Sequence, residues 1–162
     1  EAFGEDVTKP VTSAAKKNLF AVNEDNEPLE ECKSDVFHSV TQKLLFVAKR
    51  ARPDIQPTLS FLCTRVQKSN TSDWEKLKRL LQFVNVTIDE KLTLSADKGL
   101  TFMKTWVDAS YAVHPNMRGH TGGCLTLGRG MLHARCSKQK LNTKSSTECE
   151  VVGTSDYLPF PI

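Results

Sequence analysis

The sequence has no apolar stretch long enough to cross a bilayer, because its longest uninterrupted apolar run is only Leu44 to Ala48. It also has no secretory signal, since the opening residues Glu1 to Asp6 are acidic and lack an apolar core. The chain does not begin with methionine, so we expect a fragment or processed piece of a longer protein. No membrane partner and no secretion are expected.

The spacing of the cysteines excludes two further classes of protein. The five cysteines are an odd number, widely separated and without a Cys-x-x-Cys pair, which argues against a disulfide framework and favours a reducing, intracellular compartment. Together with His114 and His120, Cys124 and Cys136 match no Cys/His spacing typical of zinc sites. We expect these thiols to act as small apolar side chains.

Several catalytic and nucleotide-binding motifs are also missing. There is no Gly-x-Ser-x-Gly motif, phosphate-binding loop or dinucleotide fingerprint, and the glycine-rich stretch 119–130 lies between predicted strands rather than before a helix. What remains is a chain of 162 residues with 39% apolar and 25% charged residues, a globular composition. That length suffices for one ordinary domain or for parts of two small ones.

Charge is distributed unevenly along the chain. Residues 1–35 contain nine acids and four bases (net −5), residues 36–87 nine bases and three acids (net +6), and residues 88–162 nine bases and seven acids (net +2). The basic middle region favours a surface that faces a polyanion. A solvated helical face rich in lysine has the same composition, so charge alone leaves both interpretations open.

Hydrophobic periodicity begins only after the first 34 residues. Residues 1–34 contain two prolines and an acidic stretch, which predicts an extended leader or linker that is not a packed element. From Asp35, apolar residues recur every three or four positions and predict an amphipathic helix that ends near Arg52.

Two shorter helices are predicted after the first. Asp54 is expected to cap the second, and Pro57 fits its first turn, where a missing N–H loses no intrahelical partner. The capping box Ser72 to Glu75 is expected to open the third. Their inward faces are large enough to form a small bundle or to pack on a neighbouring domain.

After Ile88 the pattern changes from helix to strand. Bulky apolar stretches predict three or four strands, at 92–94, 100–107, 120–127 and 131–136. The second ends at Asp108, and the last two form a hairpin around the glycine-bearing turn Gly128 to Gly130. Ser145 to Thr147 offer caps for a helix from about Glu148 to Leu158. The predicted fold class is therefore α+β, with a three-helix bundle followed by antiparallel strands and one helix.

Acidic residues in the second half suggest a metal site. Asp108 lies at the end of a predicted strand, and Glu148 and Glu150 lie in the first turn of the last helix. If strand and helix pack together, Asp108 and Glu150 could hold Mg²⁺, a hard cation that prefers oxygen ligands and suits phosphodiester chemistry. Acids at a helix start are also ordinary partners of the helix dipole, so spacing alone does not decide between the two.

A basic, hydroxyl-rich connector precedes the last helix. It carries Lys138, Lys140 and Lys144 and could contact a nucleic-acid backbone beside a metal site, although alone it is simply a polar loop. The basic residues of the helical block, among them Lys76 and Arg79, are candidates for the same role.

Three blocks of sequence, in order, resemble one known family. The first block is Phe37 to Val40 together with Lys43-Leu-Leu-Phe-Val-Ala-Lys-Arg-Ala-Arg-Pro-Asp-Ile55. The second is Trp74-Glu-Lys-Leu-Lys-Arg-Leu-Leu-Gln-Phe83. The third is Trp106-Val-Asp-Ala-Ser-Tyr-Ala112, followed by Gly119 to Gly123, Ser137 to Lys140 and Lys144 to Glu150. Together they resemble the Pol polyprotein of copia-type long-terminal-repeat retrotransposons, over about residues 36–158. The matching part is the end of the reverse transcriptase and the start of its ribonuclease H domain.

The resemblance implies three parts. Residues 1–34 would be a leader, 35–88 a thumb-like or connecting helical segment of reverse transcriptase, and 89–162 the N-terminal half of a ribonuclease H-like domain. It places the first-strand aspartate on Asp108 and the first-helix glutamate on Glu150, as ligands of Mg²⁺ in the complete domain. It also implies an RNA–DNA hybrid and the rest of the polyprotein as partners, and a cytoplasmic location (in a virus-like particle) or a nuclear one.

The chain departs from the family in two respects. The paired aspartates of the polymerase would lie upstream, and two further carboxylates of the ribonuclease H site would lie beyond residue 162. Two of four ligands make a weak Mg²⁺ site, so the isolated chain is expected to be inactive. Two alternatives stay open: an inactive or host-retained remnant that binds nucleic acid or protein, and a helical interaction module without a nucleic-acid role.

Overall fold

The structure is a computed structural model that describes residues 3–97 and 101–161. Within these residues it contains four α-helices and five short strands: α1 Glu31–Arg50, α2 Gln56–Cys63, α3 Thr71–Val86, β1 Ser95–Ala96, β2 Lys104–Ser110, β3 His120–Thr126, β4 Gly128–Arg129, β5 His133–Lys138 and α4 Ser146–Tyr157. Helices come first, then antiparallel strands and a final helix. The predicted α+β fold class is confirmed.

The three N-terminal helices surround one apolar core. Its members share the three- and four-residue spacing that predicted the helices, and they include Phe37, Leu44, Leu59, Leu77 and Leu80. Short 3₁₀ turns at Pro53–Ile55 and Val66–Lys68 lie on either side of α2 and keep the connections tight.

The leader does pack, so the expectation of an unpacked segment is wrong. It contains no helix or regular strand between residues 3 and 30, but Leu19 is buried in the helical core and Phe3 stacks on Trp74 with ring centroids 4.3 Å apart. Glu5 accepts a hydrogen bond from the Trp74 indole at 2.6 Å. These are isolated apolar residues without periodicity, which is why the sequence pattern did not reveal their burial. The predicted boundary at residue 34 is untested, and α1 begins at Glu31.

Two predicted helix caps are wrong in their details. Asp54 does not cap α2, because its carboxylate pairs with the Arg52 guanidinium at 2.7 Å and no side chain caps that helix. The capping box of α3 lies two residues earlier than predicted: Asn70 accepts from the Asp73 amide, and the Asp73 carboxylate accepts from the Asn70 amide. Pro57 lies in the first turn of α2, as predicted.

The strands form two antiparallel sheets. The larger has the order β2–β3–β5, and the smaller pairs β1 with β4. In the larger sheet Asp108 lies opposite Gly122, which in turn lies opposite Cys136. The predicted hairpin of the third and fourth stretches is confirmed as β3 and β5. Within the described residues, the outer edges of β2 and β5 have no strand partner.

The start of the sheet region differs from prediction. Residues 92–94 are not a strand, and β1 follows them at Ser95–Ala96. Part of the expected turn at Gly128 to Gly130 forms the strand β4, because this segment pairs with β1. Gly130 has a left-handed φ of 79°, which glycine tolerates. The strand predicted at 100–107 begins at Lys104 and passes through Asp108 to Ser110, while Leu100 lies outside the described residues.

Helix α4 covers one face of the larger sheet. It begins at Ser146 with Ser145 as N-cap, accepting from the Glu148 amide, as the cap signal predicted. It packs on β2 and β3, while α2 packs on β5 and so joins the helical bundle to the sheet. None of the helices within 3–97 and 101–161 combines the length and the apolar character that crossing a membrane requires.

Candidate functional site

Asp108 lies within β2 and is exposed. Side chains alternate between the two faces of a strand, so Asp108 and its register partner Gly122 belong to the face that carries Cys136. Trp106 is on the same face, with 54% of its surface exposed. The carboxylate therefore lies on an open, partly apolar face rather than in a closed cavity.

Glu150 is half-buried and lies in the second turn of α4, not in the first as predicted, because the helix begins at Ser146 rather than near Glu148. Small residues hold this helix close to the sheet: a Cβ on Gly153 would lie only 3.1 Å from the Cβ of Ala109, and a Cβ on Gly123 would overlap the Tyr157 ring. Gln139 completes the attachment, since its amide donates to Thr121 Oγ1 at 3.0 Å and to the Cys149 carbonyl at 2.9 Å.

The structure brings the backbones of the two predicted ligands close together. Gly153, one helical turn after Glu150, rests against Ala109, the residue after Asp108. Because adjacent strand residues point to opposite faces, Asp108 points away from the face that α4 covers.

The donor set fits a hard cation in type but not in number. Asp108 and Glu150 offer carboxylate oxygens, the ligands that Mg²⁺ prefers. Among residues 3–97 and 101–161, no three or more His, Cys, Asp or Glu side chains are grouped so that they could hold a metal ion. The pair alone therefore provides two ligands at most, and the expected metal role of both residues stays a prediction.

The three lysines of the connector lie in different environments. Lys140 and Lys144 are exposed, and the Lys144 amide donates to the Glu148 carboxylate at 2.7 Å. Lys138, at the end of β5, is half-buried. Burial lowers the pKa of its ammonium, and the nearby cations Arg118 and Arg65 lower it further. Lys138 therefore lies in a region of excess positive charge.

The two predicted contacts in the helical block are occupied by the leader. The Lys76 ammonium donates to the Ala21 carbonyl at 2.6 Å and lies 4.6 Å from the centre of the Phe61 ring. Arg79 donates to Ser13 Oγ at 3.0 Å, and its Nε is buried without a hydrogen-bond partner in the described part of the chain. Both help to hold the leader on α3, and their predicted contact with nucleic acid stays a prediction.

A buried histidine pair was missed by sequence reasoning. His114, in the loop after β2, and His120, at the start of β3, share a hydrogen bond of 3.0 Å between Nε2 and Nδ1. Phe20 of the leader and Phe61 of α2 pack against them. Burial lowers the pKa of each imidazole to about 4, and for His114 the neighbouring His120 and Lys138 contribute. The spacing of six residues between His114 and His120 does not predict this contact, because the loop between β2 and β3 brings the two side chains together.

Comparison with known proteins shows a similarity to a plant mitochondrial protein. The chain is 29% identical over 115 residues to the uncharacterized mitochondrial protein AtMg00810 of Arabidopsis thaliana. The match covers 70% of this chain and 47% of that protein, so the chain spans about half the length of the relative. No protein-family model matches the chain. No solved structure matches it either.

Proposed function

We propose that this chain is part of a retroelement Pol polyprotein of the copia type, and that it contributes nucleic-acid binding and two carboxylates to a ribonuclease H centre. The observation that carries the proposal is the order of its parts. The first motif block lies on α1 and the 3₁₀ turn after it, the second lies on α3, and the third runs from β2 through the hairpin to α4. The similarity to the Arabidopsis protein supports a retroelement origin in general terms.

In this proposal the chain's own residues have separate tasks. Asp108 and Glu150 offer oxygen ligands, while Gly153 and Gln139 keep α4, which carries Glu150, packed on the sheet. When bound, Mg²⁺ supplies the Lewis acid needed to hydrolyse the RNA strand of a hybrid. Lys138, Lys140 and Lys144 would contact phosphates of the nucleic-acid backbone, so the affinity for nucleic acid would fall as the salt concentration rises.

The metal part can be tested on the chain itself. In a ¹⁵N-labelled sample, Mn²⁺ in place of Mg²⁺ should broaden the amide signals of residues 106–110 and of 148–152 together, because one ion touches both carboxylates. Asp108→Asn should remove most of the broadening in both segments, whereas Asp156→Asn, an exposed acid on the same helix, should leave it unchanged. Broadening of one segment alone, or broadening that Asp108→Asn does not reduce, would contradict the shared site.

The nuclease part needs a longer protein that contains this chain. With Mg²⁺ it should cleave the RNA strand of an RNA–DNA hybrid, and Asp108→Asn should lower the rate by at least about 100-fold, the scale on which removal of a charge-stabilising group acts. The alternative is a remnant that binds nucleic acid without cutting it. The unneutralised positive charge around Lys138 favours binding in either case. Salt-sensitive binding without cleavage would select the remnant.

A further inference from the structure

A groove runs between the helical bundle and β5, and it is separate from the carboxylates. The end of α1, the inner side of α2 and the strand β5 line a space of about 840 Å³. Phe160, just after α4, lies at its rim with 42% of its surface exposed. The groove exists because α2 packs on β5.

The lining of this groove carries positive charge that the protein does not neutralise. Its charged residues are all basic, namely Lys49, Arg50, Arg135 and Lys138. No Asp or Glu lines it in the described part of the chain, and none of the four cations forms an ion pair there. Like charges that are held together without a counter-charge favour an anionic ligand.

The two thiols of the groove cannot supply the missing negative charge. Burial raises the pKa of Cys63, and burial together with Cys124 raises the pKa of Cys136 to about 11. Both are therefore neutral near pH 7. Burial lowers the pKa of the Lys138 ammonium, and the nearby cations Arg118 and Arg65 lower it further.

An aromatic platform lies beside the cations. The Phe160 ring stacks on His133 at a centroid distance of 4.9 Å and an interplanar angle of 19°. The Arg135 guanidinium lies 4.8 Å from the centre of the same ring. An exposed ring next to a row of cations is the arrangement on which proteins stack a base and hold its phosphates.

We propose that this groove binds a short single-stranded segment of nucleic acid, with its phosphates on Lys49, Arg135 and Lys138 and one base on Phe160. A duplex is less suitable, since its bases are already stacked and paired and offer no free face to the ring. An acidic peptide would satisfy the cations but not the platform. The inference rests on the nucleic-acid part of the proposed function and assigns that binding to a defined surface.

The charge contribution can be measured by fluorescence anisotropy with the full chain and a labelled twelve-residue oligothymidylate. The groove variant is K49Q/R135Q/K138Q. The control variant K17Q/K43Q/K91Q removes the same charge from exposed lysines that do not line the groove. Each phosphate contact on a single strand contributes about 0.7 to the slope of log K against log salt, so the groove variant should reduce the slope by about 2. The control should keep the slope of the parent chain.

The platform is tested separately with Phe160→Leu, which keeps an apolar side chain but cannot stack. Stacking contributes about 1–3 kcal/mol per base, so affinity for the oligothymidylate should fall roughly 5- to 150-fold. Affinity for an abasic twelve-residue strand should stay the same, because that strand has no base to stack. Equal thermal midpoints for all variants establish that the fold is intact.

Three results would overturn the inference. Equal loss in the groove and control variants would place binding elsewhere on the surface, and the nucleic-acid role in the proposed function would survive. Displacement of the oligonucleotide by polyglutamate of the same charge, with no effect of Phe160→Leu, would identify an acidic-peptide site. Absence of binding to any single strand, duplex or hybrid would reject the groove and the proposed nucleic-acid role together.

Discussion

Two neighbouring glycines in β3 show how a single residue determines the position of α4. Gly122 and Gly123 point to opposite faces of the sheet. A Cβ on Gly122 would meet its nearest neighbour, Cys136 Sγ, at an ordinary 3.8 Å, whereas a Cβ on Gly123 would overlap the ring of Tyr157. Tyr157 is only 1% exposed, so the ring has no free volume into which it could move. Gly123 is therefore required by close packing, and Gly122 is not.

Gly123→Ala should lower the free energy of unfolding by about 1–3 kcal/mol, the usual penalty for overpacking. Gly122→Ala should change it by no more than about 0.5 kcal/mol, as for substitutions away from tight contacts. Urea denaturation followed by circular dichroism measures both. If the two variants are equally stable, α4 does not lie on the sheet as described.

At the scale of the element, α3 depends on a cap that also holds the leader. Asn70 accepts a hydrogen bond from the Asp73 amide, and its own side-chain amide donates to the Asn23 carbonyl at 3.0 Å. Asp73 is 1% exposed and pairs with the Arg65 guanidinium at 2.9 Å. The start of α3 is thus linked to a segment 47 residues earlier in the chain.

Asn70→Ala should destabilise the protein by about 1–2 kcal/mol, because it removes an N-cap and the link to Asn23. Ser72→Ala, at the position that the sequence pattern favoured as cap, should have an effect below about 0.5 kcal/mol. Chemical denaturation of the two single variants shows whether Asn70 or Ser72 is the N-cap of α3. A larger loss for Ser72→Ala would show that α3 begins two residues later.

The elements that could be predicted are those with a local signal. Three-to-four spacing located α1, α2 and α3, and Ser145 marked the start of α4. The cap of α3 was misplaced because Asn70-x-x-Asp73 and Ser72-x-x-Glu75 both satisfy the same pattern, and only the packing around Asp73 favours the first. Strand β1 has two residues and forms only through pairing with β4, so no local pattern could predict it.

At the scale of the whole molecule, the histidine pair joins three parts of the fold. His114 and His120 come from the sheet region, Phe20 from the leader, and Phe61 and Ser60 from α2, with Ser60 Oγ 3.4 Å from His120 Nε2. Both imidazoles are buried, and for His114 the neighbouring His120 and Lys138 add repulsion to the effect of burial. The charged form is therefore unfavourable in the folded protein, while the unfolded chain binds protons with the ordinary pKa of 6.5.

Stability should therefore fall with acidification. Below pH 6.5 the histidines are protonated in the unfolded chain, whereas in the folded protein they stay neutral down to about pH 4. The free energy of unfolding therefore falls as the pH is lowered from 6.5 to 4, and the pair has no effect on it above pH 6.5. We expect a loss of about 5 kcal/mol between pH 7 and pH 4, or about 2–3 kcal/mol for each imidazole, measured by urea denaturation at each pH. The double variant His114→Asn/His120→Gln should show a smaller decline.

The matched control for this pH dependence is His38→Gln, since His38 is exposed on α1. It should decline with pH as the parent chain does. If the double variant and the control behave alike, other groups cause the acid sensitivity and the pair has no part in it.

The candidate sites were predictable to different degrees. Asp108 and Glu150 were candidates from residue type and from family resemblance, and the sequence placed them on the correct strand and helix. It did not reveal that Asp108 points away from the face that α4 covers. The groove was not predictable, because Lys49 and Arg135 are 86 residues apart and meet only through the packing of α2 on β5. Lys138 was selected as part of a basic loop, and the structure places it at the end of β5.

Among the residues that the structure describes, β2 is paired on the side of β3 only, and this has a consequence for amide hydrogen exchange. In a strand paired on one side only, every second N–H donates to its neighbour and the others face water. Exchange rates along 104–110 should therefore alternate between slow and fast. If a further strand is added at this edge in a longer protein, the fast set becomes slow, so exchange reports directly whether the sheet has been extended there.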